Sequence, residues 1–483
     1  GSFNSYDADF TLGNSIKEGQ INFQITGRYF RSDEHDMSDL PFYNYSPGDL
    51  DQFEYDHLGQ NFNTSTQLNN FLSSNNLNAE NQFFNIVGNR IQLSEYGLNK
   101  ASQYDELAYL EKVNGNYLGY SNHTEDYFIG GKLNIKDLVF GFRTWKRAEG
   151  LNHMQDLDIA PSRNGSVWAP RNSTSYLKYN HNFNDNLSFS VQTSIKNHSL
   201  DKETNRVNFK PFGVPKSGLT IRDLVNYSPE DTESSEIPHG WQNQFYYYQT
   251  LQGRTEVRFF YNSNNVNVTL GADRRVTTSQ GDYFIYRDYK TEFSNESDYA
   301  EYLENAFAQE FGSSAEFSAK NNVYKLNEFG GFLQGNIQLD EKLHFNIGGR
   351  YDRQLIRNTE GFEVFQPRLG LVFSTDRLTF KANYSKGFQN VSLYTKFSTG
   401  GNRIPNPTLL PEEIKYIDVS VLGSSENQKL KWNLTGFIYN VENAIDSKVT
   451  LQGFNQNVNE DNYVTMGGMM NLKYRTKFLR FDL

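Results

Sequence analysis

The sequence contains no cysteine and no long hydrophobic run. The absence of cysteine excludes a disulfide framework and a thiolate metal site. No stretch approaches the roughly 18 apolar residues that a membrane-spanning helix needs, and the mean hydropathy is -0.71. The formal net charge of -11 argues against a nucleic-acid partner, because nucleic-acid binding needs a basic surface.

The residue patterns of common catalytic and metal sites are absent as well. The histidines are scattered, without the spacing of a metal-binding motif, and no calcium loop of the D-x-D-x-D-G type occurs. No nucleophile elbow, phosphate-binding glycine loop or credible pair of hydrolytic carboxylates is found. These absences predict that the chain is not an enzyme and holds no metal and no cofactor.

What the chain has in abundance is alternation with a period of two residues. In the run 343–352, Leu343, Phe345 and Ile347 fall on one face, while His344 and Asn346 fall on the other. No amphipathic helices alternate with such segments to cover the apolar face. The pattern therefore favours a barrel with lipid outside and water or a plug inside. A soluble, tyrosine-rich β-sandwich or β-solenoid is the alternative.

The connections between these segments are short on one side and long on the other. Alternating segments come in pairs joined by short turns rich in Asn or Asp, which is typical of hairpins. Many opposite connections are long, at about 148–172, 198–243, 280–325 and 388–412. This asymmetry indicates an all-β, transmembrane antiparallel barrel of the outer-membrane type, with roughly 14–16 strands in this sequence.

Two regions depart from the regular hairpins. The polar stretch 32–122 is far longer than an ordinary loop, and it is predicted to be an extracellular loop insertion with a possible short helix over 104–110. The final residues, 478–483, look like the start of a strand without its partner. Because an open strand edge is costly in lipid, we expect the biological chain to continue.

Several motifs resemble the barrel of a TonB-dependent outer-membrane receptor. Residues 384–394 read YSKGFQNVSLY, and 406–412 read NPTLLPE, which match two stretches of that family in the family's order. The opening hairpin over 6–30, and FGGFLQ at 329–334 followed by GGRYD at 348–352, are similar to two of the family's hairpins. The Asn- and Tyr-rich composition is similar to that of Bacteroidetes members.

The resemblance implies an incomplete barrel of the type with about 22 strands. Residues 1–483 would all belong to the barrel domain, whereas the N-terminal plug, its energy-coupling box and about six strands would be absent. The implied location is the outer membrane of a Gram-negative cell, in contact with the lipid bilayer. A TonB-type energy-coupling protein would act through the missing N-terminal part.

The function implied by the resemblance is active uptake of a nutrient ligand, which could be a siderophore, a cofactor, a glycan or a peptide. The alternative is a structural or partner-docking subunit of a larger outer-membrane complex, whose long loops, above all 32–122, could dock a surface lipoprotein. An outer-membrane enzyme would need a catalytic constellation that the sequence lacks.

Candidate ligand contacts are aromatic residues in the long connections and charges on the wet face of the strands. Trp241, Tyr246, Tyr283 and Tyr286 could stack on a sugar or a chelate, or they could anchor the membrane interface and pack loops. Arg350 could contact a ligand in the lumen. The alternative for Arg350 and the other wet-face charges is pairing with each other or with a plug; these others are Arg254, Glu256, Arg258, His344 and Asp352.

The residues of the two family motifs are interpreted as structural. Tyr384 and Phe388 would lie in the aromatic girdle at the membrane interface, and Gly387 would relieve crowding where its strand leaves the membrane. The second motif would shape the loop that returns to the next strand; its members are Asn406, Pro407, Pro411 and Glu412.

Overall fold

Long strands make up most of the described chain. The computed structural model describes residues 4–17, 19–33, 55–110, 112–113, 116–117, 123–150, 167–213, 219–227, 240–281, 284–286, 323–356, 361–398, 403–450, 455–460 and 462–483. Its strands are β1 (Tyr6–Ile16), β2 (Ile21–Ser32), β3 (Gln60–Asn61), β4 (Phe84–Val87), β5 (Arg90–Leu93), β6 (Lys112–Val113), β7 (Asn116–Tyr117), β8 (Thr124–Ile135), β9 (Leu138–Gly150), β10 (Val167–Trp168), β11 (Pro170–Asn182), β12 (Leu187–Leu200), β13 (Asn205–Lys210), β14 (Gly240–Tyr247), β15 (Gln249–Asn262), β16 (Val266–Gln280), β17 (Phe284–Tyr286), β18 (Val323–Gln338), β19 (Leu343–Ile356), β20 (Phe362–Ser374), β21 (Leu378–Gln389), β22 (Arg403–Ile404), β23 (Glu412–Ser424), β24 (Leu430–Glu442), β25 (Ile445–Val449), β26 (Asn455–Asn459), β27 (Tyr463–Arg475) and β28 (Arg480–Asp482).

Among the described residues the helices are few and short. They are α1 (Ser65–Ser74), α2 (Glu95–Leu110), α3 (Ile221–Asn226) and α4 (Leu393–Phe397), together with a 3₁₀ turn at Asp56–Leu58. In the described parts of the chain, no helix is both long enough and apolar enough to cross a bilayer.

The main sheet is an antiparallel meander that forms a barrel wall. Each long strand pairs with the next long strand along the chain, as hairpins require. Among the described residues the order of pairing is β1, β2, β8, β9, β11, β12, β15, β16, β18, β19, β20, β21, β23, β24, β27 and β28. Strands β1 and β28 are its edges, and no described pairing joins them. The predicted antiparallel barrel architecture is confirmed.

The two faces of the wall differ as the alternation predicts. Ile347 on β19 points outward with 51% of its surface exposed, and it lies between Gly335 and Leu369 of the neighbouring strands. Gln354 on the same strand points inward and is only 2% exposed. Exposed apolar side chains therefore belong to the outer face, where lipid can cover them.

Tyr29 and Tyr351 lie where the apolar part of the outer face ends and charged side chains begin. The Tyr29 hydroxyl donates a hydrogen bond to Glu125 at 3.1 Å, and the Tyr351 hydroxyl donates one to Glu363 at 2.5 Å. A ring packed on the apolar belt and a hydroxyl bound to a charged group suit a membrane interface. These contacts agree with the predicted aromatic girdle.

The two ends of the wall carry very different connections. Hairpins such as β8–β9 and β20–β21 turn within two or three residues, whereas β2 and β8 are separated by residues 33–123. At the end with the long connections, β10, β13, β14 and β17 extend the main sheet beyond the wall. The predicted asymmetry of the connections is confirmed.

Two long connections fold together into a small domain with its own core. The segment 55–110 shares this core with residues 211–213 and 219–227, and we call these segments together the mini-domain. Phe84, Ile91, Phe212 and Leu224 are buried in the core. Burial of apolar side chains of this size is expected to stabilise the folded mini-domain by several kcal/mol, which is enough to order a connection.

A buried carboxylate joins the two segments of the mini-domain. Asp105 on α2 is fully buried, and it accepts hydrogen bonds from the backbone N–H groups of Phe212 at 2.7 Å and Gly213 at 2.9 Å. The Tyr55 hydroxyl also donates to Asp105, at 3.1 Å. Burial and the nearby carboxylate raise the pKa of Tyr55 well above its usual value, so Tyr55 remains a donor.

The short helix expected over 104–110 is wrong in its extent. Helix α2 begins at Glu95, where the Ser94 hydroxyl accepts a hydrogen bond from the Gly97 backbone N–H at 3.0 Å. This contact satisfies one of the free N–H groups of the first helical turn. Gly97 in that turn weakens the helical signal in the sequence, but packing against the mini-domain core compensates for it.

Candidate functional site

Five neighbouring strands bring charged side chains together on the inner face of the wall. The register places Asp273 on β16 opposite Glu256 on β15 and Gly330 on β18. Arg350 on β19 lies opposite Phe332 on β18. Because directly opposite residues share a face of the sheet, these side chains all meet on the lumen side.

The charges form a continuous set of ion pairs, which we call the lumen network. Arg350 donates to Asp352 through Nε at 2.7 Å and to Asp273 through Nη2 at 2.9 Å. Arg254 binds Glu256 at 2.6 Å and lies 3.5 Å from Asp273. Arg258 binds the other oxygen of Glu256 at 2.6 Å. Five of the wet-face charges, Arg254, Glu256, Arg258, Arg350 and Asp352, therefore pair within the network, whereas His344 lines a different part of the inner face. A role of Arg350 in ligand contact stays a prediction.

Asp273 is the buried centre of this network. Its side chain is only 4% exposed, and the guanidinium groups of Arg254 and Arg350 lie on either side of it. Gln366 donates a hydrogen bond to the second carboxylate, Asp352, at 2.7 Å. The network is therefore fixed by short charge-assisted bonds and holds its side chains in defined positions.

Two glycines make space for the network. A Cβ atom at Gly330 would collide with the guanidinium of Arg350 and would lie 2.9 Å from Oδ1 of Asp273. A Cβ atom at Gly271 would collide with the ring of Phe332. The guanidinium carbons of Arg258 and Arg350 lie 5.9 and 5.7 Å from the centre of that ring, which is the range of cation–π contacts.

A cavity of about 220 Å³ opens beside the network. Arg368 on β20 lines this cavity together with Arg254, Arg258 and Arg350. A second inner-face cavity, of about 340 Å³, lies nearer the short turns and is lined mainly by amides such as Asn267, Asn336 and Asn383. The inner face thus has a cationic zone and a neutral amide zone.

The side chains of the inner face are of the types that bind polar solutes. Guanidinium groups, amides and one aromatic ring recognise oxygen-bearing solutes by hydrogen bonds and charge. Within the described ranges, no group of three or more His, Asp or Glu side chains is placed to hold a metal ion.

Three of the four aromatic candidates occupy strands beyond the wall. Trp241 and Tyr246 belong to β14, and Tyr286 belongs to β17, which are extension strands within the long connections and not irregular loops. Tyr246 pairs with Ile285, whereas Tyr286 pairs with Phe245. The strand positions of Tyr246 and Tyr286 therefore fall on alternate faces of the extension.

Tyr246 packs against an aromatic ring of a neighbouring extension strand. The Tyr246 ring meets Trp168 of β10 edge-on at 5.8 Å, which holds the strands of the extension together. Tyr283 lies outside the described residues. The role of these aromatics in ligand binding stays a prediction.

The first family motif begins on β21 and continues beyond the end of that strand at Gln389. Tyr384 pairs with Leu369 and Ile417, two outward apolar residues. The ring of Phe388 meets Phe362 edge-on at 5.5 Å. A Cβ atom at Gly387 would find no heavy atom within 4 Å. No described atom is therefore close enough to Gly387 to exclude a side chain, and the interpretation that this glycine relieves crowding is wrong.

The second family motif ties two long connections together, and we call residues 390–398 and 403–411 with 443–450 and 455–460 the loop clasp. Asn406 donates to the Asn457 carbonyl at 2.9 Å, and Asn457 donates to the Thr395 carbonyl at 2.8 Å. Asn459 donates to the Leu410 carbonyl at 3.0 Å and accepts from the Leu410 N–H at 2.9 Å. These hydrogen bonds satisfy backbone groups that are not paired with a neighbouring strand.

The remaining motif residues complete the clasp. The Glu412 carboxylate accepts a hydrogen bond from the Ile445 N–H at 2.8 Å. Pro407 and Pro411 flank Leu409, which is buried under the turn. Lys396 on α4 is buried here too, and burial lowers its pKa below the usual value. The geometry matches the interpretation that this motif shapes the returning loop.

Three further residues of the inner surface are not among the candidate ligand contacts predicted from the sequence. Phe332, Gln366 and Arg368 all occupy wet-face positions, between outward residues such as Leu333 and Leu369. The period-two alternation would have found them. What the alternation could not give is the register that brings β15 and β20 side chains to the same cavity, because that register depends on the intervening strands.

Comparison with known proteins gives one family. A family model described as TonB-dependent receptor-like β-barrel matches residues 114–483. A search of curated proteins found no match.

Solved structures with the same fold include three outer-membrane receptors or transporters. A variant of the ferric enterobactin receptor PfeA of Pseudomonas aeruginosa has 15% identity and a TM-score of 0.52, with 97% of this chain and 57% of that chain covered. The copper transporter OprC has 11% identity and a TM-score of 0.51, with 99% and 59% covered. The siderophore receptor PirA of Acinetobacter baumannii has 10% identity and a TM-score of 0.51, with 99% and 58% covered. At this identity the likeness shows a shared fold, and the chain spans less than three fifths of each relative.

Proposed function

The chain belongs to the family of TonB-dependent receptor-like β-barrels, and from this we propose that it serves in the active uptake of a nutrient ligand. Members of this family lie in the outer membrane of Gram-negative cells, and the apolar outer face of the wall is the surface that contacts lipid. The observation that carries the proposal is the family match over residues 114–483, a range that includes the whole lumen network.

In this proposal the end with the long connections faces the outside and meets the ligand first. The lumen network and the two inner cavities line the route of the ligand. A TonB-type energy-coupling protein supplies the force from the opposite side. The ligand is a siderophore, a cofactor, a glycan or a peptide; siderophore receptors and a copper transporter share the fold, which makes metal-linked ligands the first to test.

Deletion of the gene tests the uptake role. The deletion strain is grown with iron, copper, a cobalamin, a glycan or a peptide as the single limiting nutrient. We expect a growth defect under one limitation, rescue by the intact gene, and loss of labelled-nutrient uptake when a protonophore removes the energy source. Normal growth under every limitation, with no nutrient bound by the purified protein, would contradict uptake.

A structural or partner-docking role is the second candidate, and the mini-domain favours it. The mini-domain exposes apolar side chains, including Leu107 at 60% exposure, on a unit with its own core. Exposed apolar groups on a folded unit can serve a protein partner, and a surface lipoprotein is one such partner. Purification from native membranes separates the candidates, because docking requires a stoichiometric partner that is lost when the mini-domain is deleted.

A further inference from the structure

The cationic zone of the lumen carries more positive than negative charge. Arg254, Arg258 and Arg350 share the carboxylates of Glu256, Asp273 and Asp352. Arg368 adds a fourth guanidinium to the cavity, and it makes no ion pair or side-chain hydrogen bond with any residue that the structure describes. A single carboxylate, Glu256, also serves both Arg254 and Arg258.

The cavity has the shape of a subsite for one charged group. Gly348 lies directly between Gln334 and Arg368 in the register, so the absence of a side chain at Gly348 leaves a hollow there. The ring of Phe332 forms an apolar wall beside the guanidinium groups of Arg258 and Arg350. A volume of about 220 Å³ is below the usual size of a complete ligand pocket, and it fits one acidic group of a larger solute.

We propose that this cavity is an anion subsite that binds a carboxylate group of the transported solute, with Arg368 as the principal ligand contact. Arg368 supplies the fork of N–H donors that matches a carboxylate. Phe332 packs against the carbon skeleton next to that group, and Gln334 offers an amide. The lumen network holds Arg258 and Arg350 in place beside the bound anion. The inference deepens the proposed uptake function and rests on it.

The test measures binding of benzoate, a small aromatic carboxylate, and of benzamide, its neutral isostere. The protein is kept in detergent micelles, and dissociation constants are taken from saturation-transfer NMR titrations. We expect benzoate to bind more tightly than benzamide. We expect Arg368→Gln to weaken benzoate binding by about tenfold or more, because a charge-assisted bond is lost, while benzamide binding stays unchanged.

Arg143→Gln is the matched control. Arg143 lies on the lumen side of β9, opposite Gly130 and Thr174, and it too has no ion pair among the described residues. This variant removes the same charge from the same wall outside the cavity, so benzoate binding should be unchanged. Circular dichroism and heat-modifiable gel mobility confirm that both variants fold.

Equal binding of benzoate by Arg368→Gln and the unmodified protein would overturn the proposal, as would equal weakening by Arg143→Gln. Failure of benzoate to bind the unmodified protein would overturn it too. If the deletion strain shows the growth defect but benzoate does not bind, uptake stands and the anion subsite is wrong. If benzoate binds as expected but deletion has no effect on growth, the uptake role is wrong.

Discussion

At the scale of single residues, glycine decides where the charges of the lumen can meet. Gly330 lies opposite Asp273 on one side and Asp352 on the other. With no side chain at Gly330, the guanidinium of Arg350 reaches across the strand to Asp273. Its neighbour Gly331 lies on the outer face, where an added Cβ would meet nothing within 4 Å. The contacts of the wall therefore require a glycine at position 330 but not at position 331.

Substitution of these two glycines gives a paired prediction. Gly330→Ala should break the contact of Arg350 with Asp273 and leave a buried carboxylate with one cation, at a cost of roughly 1–3 kcal/mol in the free energy of unfolding. Gly331→Ala should change that free energy by less than about 1 kcal/mol, since Ala is easily accommodated in an open strand position. Urea unfolding in micelles measures both, and equal effects of the two substitutions would refute this role of Gly330.

At the scale of elements, the long connections are ordered by packing and side-chain hydrogen bonds. The loop clasp brings together β22 and β26 in a short parallel pair, with β25 antiparallel beside β26. Asn459 bonds to the Leu410 carbonyl, the Leu410 N–H and the Asn443 carbonyl, at 2.9 to 3.0 Å. One amide thus connects three backbone groups from two connections.

Removal of this amide should open the clasp. Asn459→Ala removes three hydrogen bonds, each with a net contribution of about 0.5–1.5 kcal/mol, and leaves Leu410 without its partners. Hydrogen exchange of residues 403–411 should then become about tenfold faster or more, while exchange in β23 stays unchanged. Asn455→Ala is the control, because Asn455 on the same strand has no side-chain hydrogen bond to a described residue. Equal exchange in both variants would disprove the role of Asn459.

Sequence patterns predict the elements of the wall better than those of the mini-domain, for a physical reason. The two faces of β19 can be read from a run of ten residues, because alternation is a local property of a strand. The core of the mini-domain joins segments far apart, and the bond from the Phe212 N–H to Asp105 spans 107 positions. Neither segment alone shows the partner that buries it. The fold of the wall is therefore readable locally, while the folded insertion is not.

The candidate site, too, can be predicted from the sequence only in part. The inward positions of the wet-face charges follow from alternation, but their pairing, such as that of Arg350 with Asp273, depends on the register of the strands. The unpaired Arg368 could not be told from the paired Arg254 without the register of five strands. The sequence does not reveal that Trp241 and Tyr246 lie on a strand, because the extension strand β14 is short and follows a long polar connection.

At the scale of the whole molecule, the wall has two faces and two ends, and each has a distinct environment. Apolar side chains cover the outer face, ion pairs and amides line the inner face, and tyrosines bound to carboxylates mark the border of the belt. The mini-domain and the loop clasp both lie in the long connections, whereas the described connections at the other end are tight turns. A barrel of this kind crosses the outer membrane in one orientation, with the long connections outside.

Labelling of single cysteines tests this account most directly, because the chain contains no cysteine of its own. Three positions carry the test: Leu107→Cys in the mini-domain, Glu341→Cys in the turn between β18 and β19, and Ile347→Cys on the outer face. A membrane-impermeant maleimide reacts with exposed thiolates in water and not with thiols covered by lipid. We predict labelling of position 107 in intact cells, of position 341 only after the outer membrane is opened, and of position 347 only after denaturation. Labelling of position 341 in intact cells, or of position 347 in native membranes, would contradict the account.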